Sequence, residues 1–299
     1  ISDWIWVPLY LLSRQAHTDG FKVILLGEGS DEQFVGYDSM MSHLKEQQRM
    51  RLLLGTIPGL AQAAWAMLKP ASARSASGHR SFDLIRRIAM NEPLYIGSSV
   101  GFYETQRHQV IGSEARAFLE KARKDSYNYW EESPDPSAYA AYLHSAFDAG
   151  AQDPRDIINR ICFMEMYTKM IEVLLYRVDR ITMRHSVEAR VPFLDHELIE
   201  HTFAIPGSLK IANNRKKAVL KNIAKKYLPD EIINRKKMGF SFPFKKWLGS
   251  SIGKMVESEF LKSRLTQNGV VNREFCLSCL LYTSPSPRDR TRSRMPSSA

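Results

Sequence analysis

The chain has 299 residues, 42 of them Lys or Arg and 32 Asp or Glu, so its formal net charge is +10. Hydrophobic residues make up 44% and charged residues 25%, which excludes a wholly disordered or collagen-like chain. Three cysteines are too few for a disulfide framework and are typical of a reducing, cytoplasmic location. No apolar run is long enough to span a membrane, so no membrane contact is expected.

The N-terminal part shows a pattern of helix, strand and turn. Residues 5–16 are apolar with helical spacing, and residues 21–26 are typical of a buried strand in a parallel sheet. This strand is followed by a turn that contains two glycines and three acids, Gly27-Glu28-Gly29-Ser30-Asp31-Glu32. A glycine-containing turn between a strand and a helix is a common ligand position in α/β sheets.

Helical patterns dominate the rest of the chain. We expect helices over 40–70 with a break at Pro58-Gly59, and two or three more over 82–150. Asp153 followed by Pro154 predicts the start of a long helix that ends near residues 180–183. After it we predict three shorter helices, over 196–204, over 214–227 and from residue 230. A loop is predicted over 235–247.

The C-terminal segment differs in composition from everything before it. Ser, Pro and Arg fill 12 of the 19 positions in 281–299, and such a segment cannot bury a core. It resembles translated sequencing-adapter read-through, with a basic RNA-binding tail as the alternative. We therefore predict a domain over 1–276 and a disordered, non-native tail over 277–299.

The acids of the glycine turn suggest charge chemistry. Glu28, Asp31 and Glu32 would repel one another, and a Mg²⁺ ion that carries a nucleotide phosphate would supply the missing positive charge. Backbone amides of such a turn favour phosphate binding. A solvated acidic turn is the alternative, and the local sequence leaves both open.

Four motifs in fixed order resemble the asparagine synthetase family. The glycine turn with Phe34 and Gly36-Tyr37 is similar to S-G-E-G-[SA]-D-E-x-F-x-G-Y, and residues 178–195 are similar to V-D-R-x-x-M-x-x-S-x-E-A-R-x-P-F-L-D. Lys217 to Lys221 is similar to K-x-x-L-[RK], and Lys236 to Phe240 is similar to K-x-G-F. Each motif alone is weak, but the four motifs in family order form a specific match. The resemblance extends over residues 1 to about 275.

The resemblance implies a role for individual residues. Gly27 and Gly29 match ATP-contacting positions, and Asp31 matches a Mg²⁺ ligand. Glu28 is the candidate that helps ammonia attack, and Lys217 is the candidate catalytic lysine that stabilises negative charge on phosphate and oxyanion.

Two further cations are candidates for phosphate binding. Arg177 could reach phosphate, with a scaffold role as the alternative, and Lys237 suggests a cover loop over the site, with a plain turn as the alternative. The second motif also contributes four charged residues that we expect in a partly buried ion-pair network under the site: Asp179, Arg180, Glu188 and Arg190. Glu32 could cap the following helix, and Tyr37 is predicted as a packing residue with a satisfied hydroxyl.

The implied fold is α/β, an adenine-nucleotide-alpha-hydrolase-like (PP-loop ATPase) synthetase domain that is mostly helical in this fragment. The implied reaction uses ATP and Mg²⁺ to adenylate a small-molecule carboxylate, most simply aspartate, and forms the amide with ammonia from an N-terminal glutaminase domain. A homodimer is expected for the full-length protein. The alternatives are a paralogue that amidates another carboxylate, such as a sugar acid of surface polysaccharides, and a basic nucleic-acid-binding protein, which no aromatic-interleaved basic motif supports.

Two departures from the family pattern limit the expected activity. The phosphate loop S-G-G-x-D-S and the glutaminase cysteine do not occur in these 299 residues, and Leu26 replaces the usual serine. We therefore expect a fragment that forms no amide by itself, and an exposed apolar edge on the strand at 21–26. Cys276 and Cys279 have a C-x-x-C spacing without a second ligand pair, so we interpret it as chance.

Overall fold

A computed structural model describes residues 5–54, 59–74, 79–98, 102–118, 136–235, 247–249 and 251–283. The predicted cover loop with Lys237 and the last 16 residues of the predicted tail lie outside this part of the chain. Contacts divide the chain into two units. The first comprises residues 1–69, 80–101 and 135–240, and the second comprises 70–79, 102–134 and 241–299.

The described part of the chain is mostly helical. Before residue 120 its helices are α1 Trp6–Thr18, α2 Ser30–Gln33, α3 Asp38–Leu54, α4 Leu60–Arg74, α5 His79–Ala89 and α6 Glu104–Val110. From residue 136 to 204 they are α7 Pro136–Gly150, α8 Ile157–Glu165, a π-helix Met166–Leu175, α9 Tyr176–Met183, a 3₁₀ turn Pro192–Leu194 and α10 His196–Ala204. The remaining helices are α11 Gly207–Lys210, α12 Ala218–Ala224, α13 Asp230–Asn234, α14 Ser251–Lys262, α15 Arg264–Gln267 and α16 Arg273–Thr283.

A short parallel strand pair leads into the glycine turn in the first unit. Strand β1, Val23–Leu25, pairs in parallel with β2, Glu188–Arg190, and Ile24 lies opposite Ala189. The predicted parallel pairing is confirmed for three of the six residues, whereas the predicted burial is wrong, because Val23 and Leu25 are exposed and Ile24 is only half-buried. The sequence did not predict β2, because three residues with charged ends carry no strand pattern.

The strand pair is held by α1 and α9 and leaves apolar side chains exposed. Leu9 of α1 packs with Val178 and Ile181 of α9 in a small buried cluster. Leu25 is 72% exposed and Val23 is 37% exposed, so the expected exposed apolar edge is present. The sheet is therefore covered by helices less completely than a parallel sheet usually is.

The main core of the first unit lies beside the glycine turn. Nine buried side chains form it, drawn from the turn after α2 and from α3, α7, α8 and the segment before α6: Val35, Met40, Leu44, Tyr95, Ala140, Leu143, Ile161, Cys162 and Met164. Cys162 is fully buried, as its place on the apolar face of the helix predicted. This core fixes α8 against the residues that follow the turn.

The long helix predicted from Asp153 begins later and is not uniform. Its N-cap is Asp156, whose carboxylate accepts hydrogen bonds from the backbone N–H groups of Ile158 and Asn159. Asp153 instead accepts from the N–H of Arg155 in a separate turn. After α8 the helix widens into ten residues of π-helix before it returns to α-geometry in α9. The basic helix predicted over 214–227 is also shorter, because Asn213, Asn214 and Lys217 have positive φ.

The second unit is helical and includes part of the predicted tail. Val271 pairs with Ile111 in an antiparallel bridge, and α16 contacts α6. The helix α16 continues through the predicted domain end at residue 276 to Thr283, so residues 277–283 are helical.

Candidate functional site

The glycine turn has a backbone that requires glycine at one position. Gly29 has φ of 96°, and a Cβ there would lie 2.5 Å from Cδ2 of Leu194. The hydroxyl of Ser30 donates to the carbonyl of Gly27 over 3.0 Å, which closes the turn. Gly27 has open space around it, so its backbone is accessible to a ligand. The helix α2 that follows has only four residues, so its dipole is small, and phosphate binding by the backbone amides of the turn stays a prediction.

Lys217 contacts the glycine turn, although it lies 186 residues after Asp31 in the sequence. Its Nζ lies 2.7 Å from Oδ1 of Asp31 and 2.9 Å from the hydroxyl of Ser30. Its own backbone is left-handed, with φ of 56°, and its N–H donates to the carbonyl of Phe34. This local geometry selects Lys217 from its neighbours, because Lys216 instead pairs with Asp38, whose side chain is 91% exposed.

Glu28 and Arg177 form a second pair at the same turn. Nη2 of Arg177 lies 3.7 Å from Oε1 of Glu28, and the arginine is only 3% exposed. Burial raises the pKa of Glu28, and the positive charge of Arg177 partly opposes that rise. Arg177 therefore faces the site, and it is placed there by α9, three residues before the exposed Arg180.

Each of the three acids of the turn has its own protein partner, which is a cation for Asp31 and Glu28 and a hydroxyl for Glu32. Asp31 pairs with Lys217, Glu28 pairs with Arg177, and Glu32 accepts a hydrogen bond from the hydroxyl of Tyr37. Glu32 is 1% exposed, and burial raises its pKa. Protein groups contact all three acids, but the charge of Asp31 still raises the pKa of Glu28 and of Glu32, so a bound cation at this turn stays a prediction. Glu32 does not cap α2, whereas Tyr37 has the satisfied hydroxyl that was predicted.

Lys169 is a site residue that the sequence did not indicate. The π-helix places its Nζ 3.3 Å from the centre of the Tyr37 ring, a short cation–π contact. Its positive charge lowers the pKa of Glu28 and of Glu32, although burial outweighs it. Its Nζ also donates to the hydroxyl of Ser98 over 3.3 Å. Regular α-helical spacing does not predict this position, because the i→i+5 bonding of a π-helix changes the face on which each side chain lies. Short π-helical segments often occur at functional sites.

Four predicted network residues are not under the site. Glu188 and Arg190 pair with each other over 2.8 Å, and their side chains are 56% and 62% exposed. Asp179 and Arg180 are also exposed. The predicted buried network is therefore wrong, because these side chains point away from the turn while Arg177 and Val178 on the same helix are buried.

The donor set allows a metal ion only with help from a ligand. Within the described residues no group of three or more His, Cys, Asp or Glu side chains could hold a metal. Asp31 is a single hard oxygen donor that is partly exposed. Mg²⁺ is commonly bound by one or two carboxylates and completes its coordination shell with phosphate oxygens and water. The described residues fit this kind of site, in which a nucleotide supplies ligands, and do not fit a site built from protein ligands alone.

The chain is similar to known proteins over most of its length. A family model described as asparagine synthase matches residues 1–297. The chain belongs to the asparagine synthase family. No solved structure matches it significantly.

Three relatives show how far the similarity reaches within the family. Asparagine synthetase [glutamine-hydrolyzing] 1 of Bacillus subtilis is 27% identical over 94% of this chain and 39% of its own length. A second B. subtilis protein, asparagine synthetase [glutamine-hydrolyzing] 3, is 47% identical over 21% of this chain and 10% of its own. Amidase chyE of Penicillium rubens is 26% identical over 87% of this chain and 38% of its own. The chain thus spans about two fifths of the length of the long-matching relatives.

Proposed function

We propose that this chain is the acyl-transfer part of a longer ATP-dependent synthetase that converts a carboxylate to its amide. The ion pair between Lys217 and Asp31 carries the proposal, because it joins two family motifs at a turn whose backbone is open to a ligand. The parallel pair β1–β2 supports an adenine-nucleotide-alpha-hydrolase-like sheet. Amide formation in this scheme begins with transfer of AMP from ATP to the carboxylate, with loss of pyrophosphate.

The residues of the turn have distinct tasks in this proposal. Lys217 places a point charge where phosphate and carbonyl oxygens gain negative charge. Glu28, whose pKa is raised by burial, accepts a proton from ammonia as nitrogen bonds to the acyl carbon and AMP leaves. Arg177 holds Glu28 in position, and Gly27 and Gly29 let the nucleotide approach the backbone.

ATP and Mg²⁺ fit the site in a limited way. Asp31 would hold the Mg²⁺ together with phosphate oxygens, and the ion would supply charge neutralisation on the triphosphate. Lys217 then exchanges its contact with Asp31 for phosphate, which its partly exposed side chain permits. Lys237 is proposed as a cover-loop contact on the basis of the K-x-G-F motif alone.

Aspartate is the proposed carboxylate, and another acid is the second candidate. The relatives named asparagine synthetase favour aspartate, whereas the relative named an amidase favours a wider range of acids. Ammonia from a glutaminase domain, a homodimer and a cytoplasmic location are proposed for the longer protein. In the described part of the chain no helix is both long and apolar enough to cross a bilayer.

Two lysine variants of the longer gene product test the proposal. Lys217→Met removes the ammonium that contacts Asp31, and we expect aspartate-dependent pyrophosphate release to fall by at least about 100-fold. Lys216→Met is the matched control, since its ammonium contacts the exposed Asp38, and we expect less than a twofold change. Equal activity in both variants contradicts the proposed role of Lys217. Pyrophosphate release with other acids but not with aspartate selects the second candidate substrate.

A further inference from the structure

A large cavity lies in the first unit among helices that do not supply the site residues Glu28, Asp31 and Lys217. It has a volume of about 770 Å³ and is bordered by α7, α8, the π-helix, the 3₁₀ turn and α10. Cavities of this size commonly bind small organic molecules. Leu194 is the shared wall, because it lines the cavity and also lies against Gly29 of the glycine turn.

Three aromatic rings, from α7, the π-helix and α10, surround Phe163 of α8 in this cavity. Its ring centre lies 4.5 Å from that of Tyr167, 5.6 Å from that of Phe147 and 6.3 Å from that of Phe203. The contacts with Phe147 and Phe203 are edge-to-face, at interplanar angles of 62° and 85°. A flat apolar body can extend this edge-to-face packing, so the walls favour an aromatic ligand over an aliphatic one.

The charged lining of the cavity has one sign. Its charged residues are Asp153, Asp156 and Glu200, and no Lys, Arg or His of the described chain is among the lining residues. Asp153 pairs with Arg155, and Asp156 accepts from backbone and amide N–H groups, so both carboxylates are already engaged. Within the described residues Glu200 makes no ion pair, and its side chain is exposed. A positive group at the mouth of the cavity would therefore meet an available carboxylate.

A buried amide oxygen adds a second polar group to the same walls. Asn159 is 6% exposed, and its Nδ2 donates to the carbonyls of Phe203 and Ile205. Its Oδ1 is buried and has no hydrogen-bond partner in the described part of the chain. An unpaired buried acceptor costs stability. This oxygen has no exposed surface, so the proposed ligand depends on the aromatic rings and Glu200 and not on Asn159.

The geometry points to a second binding site in this cavity for a small aromatic amine. The ring packs against Phe163 and its aromatic neighbours, and the ammonium lies at Glu200. This ligand is distinct from the proposed carboxylate substrate, because the carboxylate of Glu200 repels a second carboxylate. The inference does not depend on the amide-forming reaction and is tested by binding alone.

Calorimetric titration of the full chain with three probes of one shape tests the charge preference. The probes are 2-phenylethylamine, 2-phenylethanol and 3-phenylpropionate, which carry a positive, a neutral and a negative end. At low salt we expect saturable binding of the amine, at least about tenfold tighter than that of the carboxylate, because coulombic attraction acts near the surface. Equal affinity for amine and carboxylate, or no saturable binding of the amine, overturns the inference.

Two variants test the location of the site. Glu200→Gln should weaken amine binding about three- to tenfold and leave 2-phenylethanol unchanged, whereas Glu197→Gln, also exposed on α10 but outside the lining, should change neither. Gly150→Leu should block the cavity with little strain, since no atom lies within 4 Å of an added Cβ, and should weaken both ligands at least fivefold. Gly150→Leu could lower the melting temperature and so weaken binding indirectly. Glu200→Gln should not affect folding, because Glu200 is exposed, so its result tests the site independently. Unchanged amine affinity in Glu200→Gln overturns the inference.

Discussion

The contact between Lys217 and Asp31 depends on a glycine that neither residue adjoins. The N–H of Gly36 donates to the carbonyl of Asp31 over 2.7 Å, which folds the chain back over the turn. A Cβ on Gly36 would lie 1.8 Å from Oδ1 of Asp31, the same oxygen that contacts Lys217. The absence of a side chain at Gly36 therefore keeps the carboxylate in place. Steric overlap with Asp31 therefore explains why this chain has a glycine before Tyr37.

Gly36→Ala should displace Asp31 and lower stability. We expect the free energy of unfolding to fall by about 1–3 kcal/mol, because the added methyl group overlaps both the carboxylate and the backbone of Asp31. Gly27→Ala is the control, since an added Cβ there meets nothing within 4 Å, and it should change stability by less than about 0.5 kcal/mol. Urea denaturation of both variants measures this. Equal stability of the two proteins would show that Asp31 can move without cost.

The start of α8 shows how one side chain can organise several elements. The carboxylate of Asp156 caps the helix and also accepts from Asn159 Nδ2 and from the N–H of Gly207 at the start of α11. One acid thus joins α8 to the segment after α10. From α8 the chain continues into the π-helix and α9, so this cap fixes the start of the continuous helical segment that carries Lys169 and Arg177.

Asp156→Ala should destabilise the chain more than a lost cap alone. We expect the free energy of unfolding to fall by about 2–4 kcal/mol. A cap contributes about 1 kcal/mol, and the partly buried N–H of Gly207 also loses its acceptor. Asp153→Ala is the matched control, because Asp153 is exposed and only bonds within its own turn, and it should cost less than about 0.5 kcal/mol. Thermal unfolding followed by circular dichroism compares them. Similar losses in both variants would mean that Asp153 contributes to the cap as the sequence suggested.

Buried ionisable groups make the stability of the molecule depend on pH. His43 of α3 packs edge-on against Tyr95, with ring centres 4.7 Å apart, and is 9% exposed. Burial lowers the pKa of His43 to about 4, with a further contribution from the charge of Arg80. The side chain of Gln47 opposes the shift by hydrogen bonding. The folded protein therefore holds this histidine neutral at pH values where the unfolded chain protonates it.

Acidification from pH 6.5 to 4 should therefore destabilise the protein through His43. Over this range the unfolded state binds a proton that the folded state does not, so the free energy of unfolding falls as pH falls. We expect His43→Gln to remove about 2–3 kcal/mol of this pH dependence. His201→Gln, at an exposed position on α10, should leave it unchanged. Urea titrations at several pH values give the slopes, and identical slopes in His43→Gln and the parent chain would contradict the assignment.

Motifs and local propensity allowed many features to be predicted. The helices at 5–16 and 196–204 and the buried Cys162 follow from apolar spacing, whereas the apolar strand at 21–26 was predicted to pair in parallel but not to be exposed. Lys217 was selected from a run of basic residues by the motif register, and its contact with Asp31 supports that choice. Lys169 and β2 were not predicted, because α-helical spacing does not describe a π-helix and three residues are too few to show a strand pattern.

The sequence alone determined the family, the helical character of the chain and the residues that could carry charge chemistry, because these depend on residue type and spacing. Only the tertiary structure decided how those charges are paired. It showed that Arg177, Lys217 and Tyr37 each neutralise or hold one acid of the turn, and that Glu188 and Arg190 are exposed. The physical reason is that ion pairing and burial depend on distances between residues far apart in the chain, which local spacing does not encode.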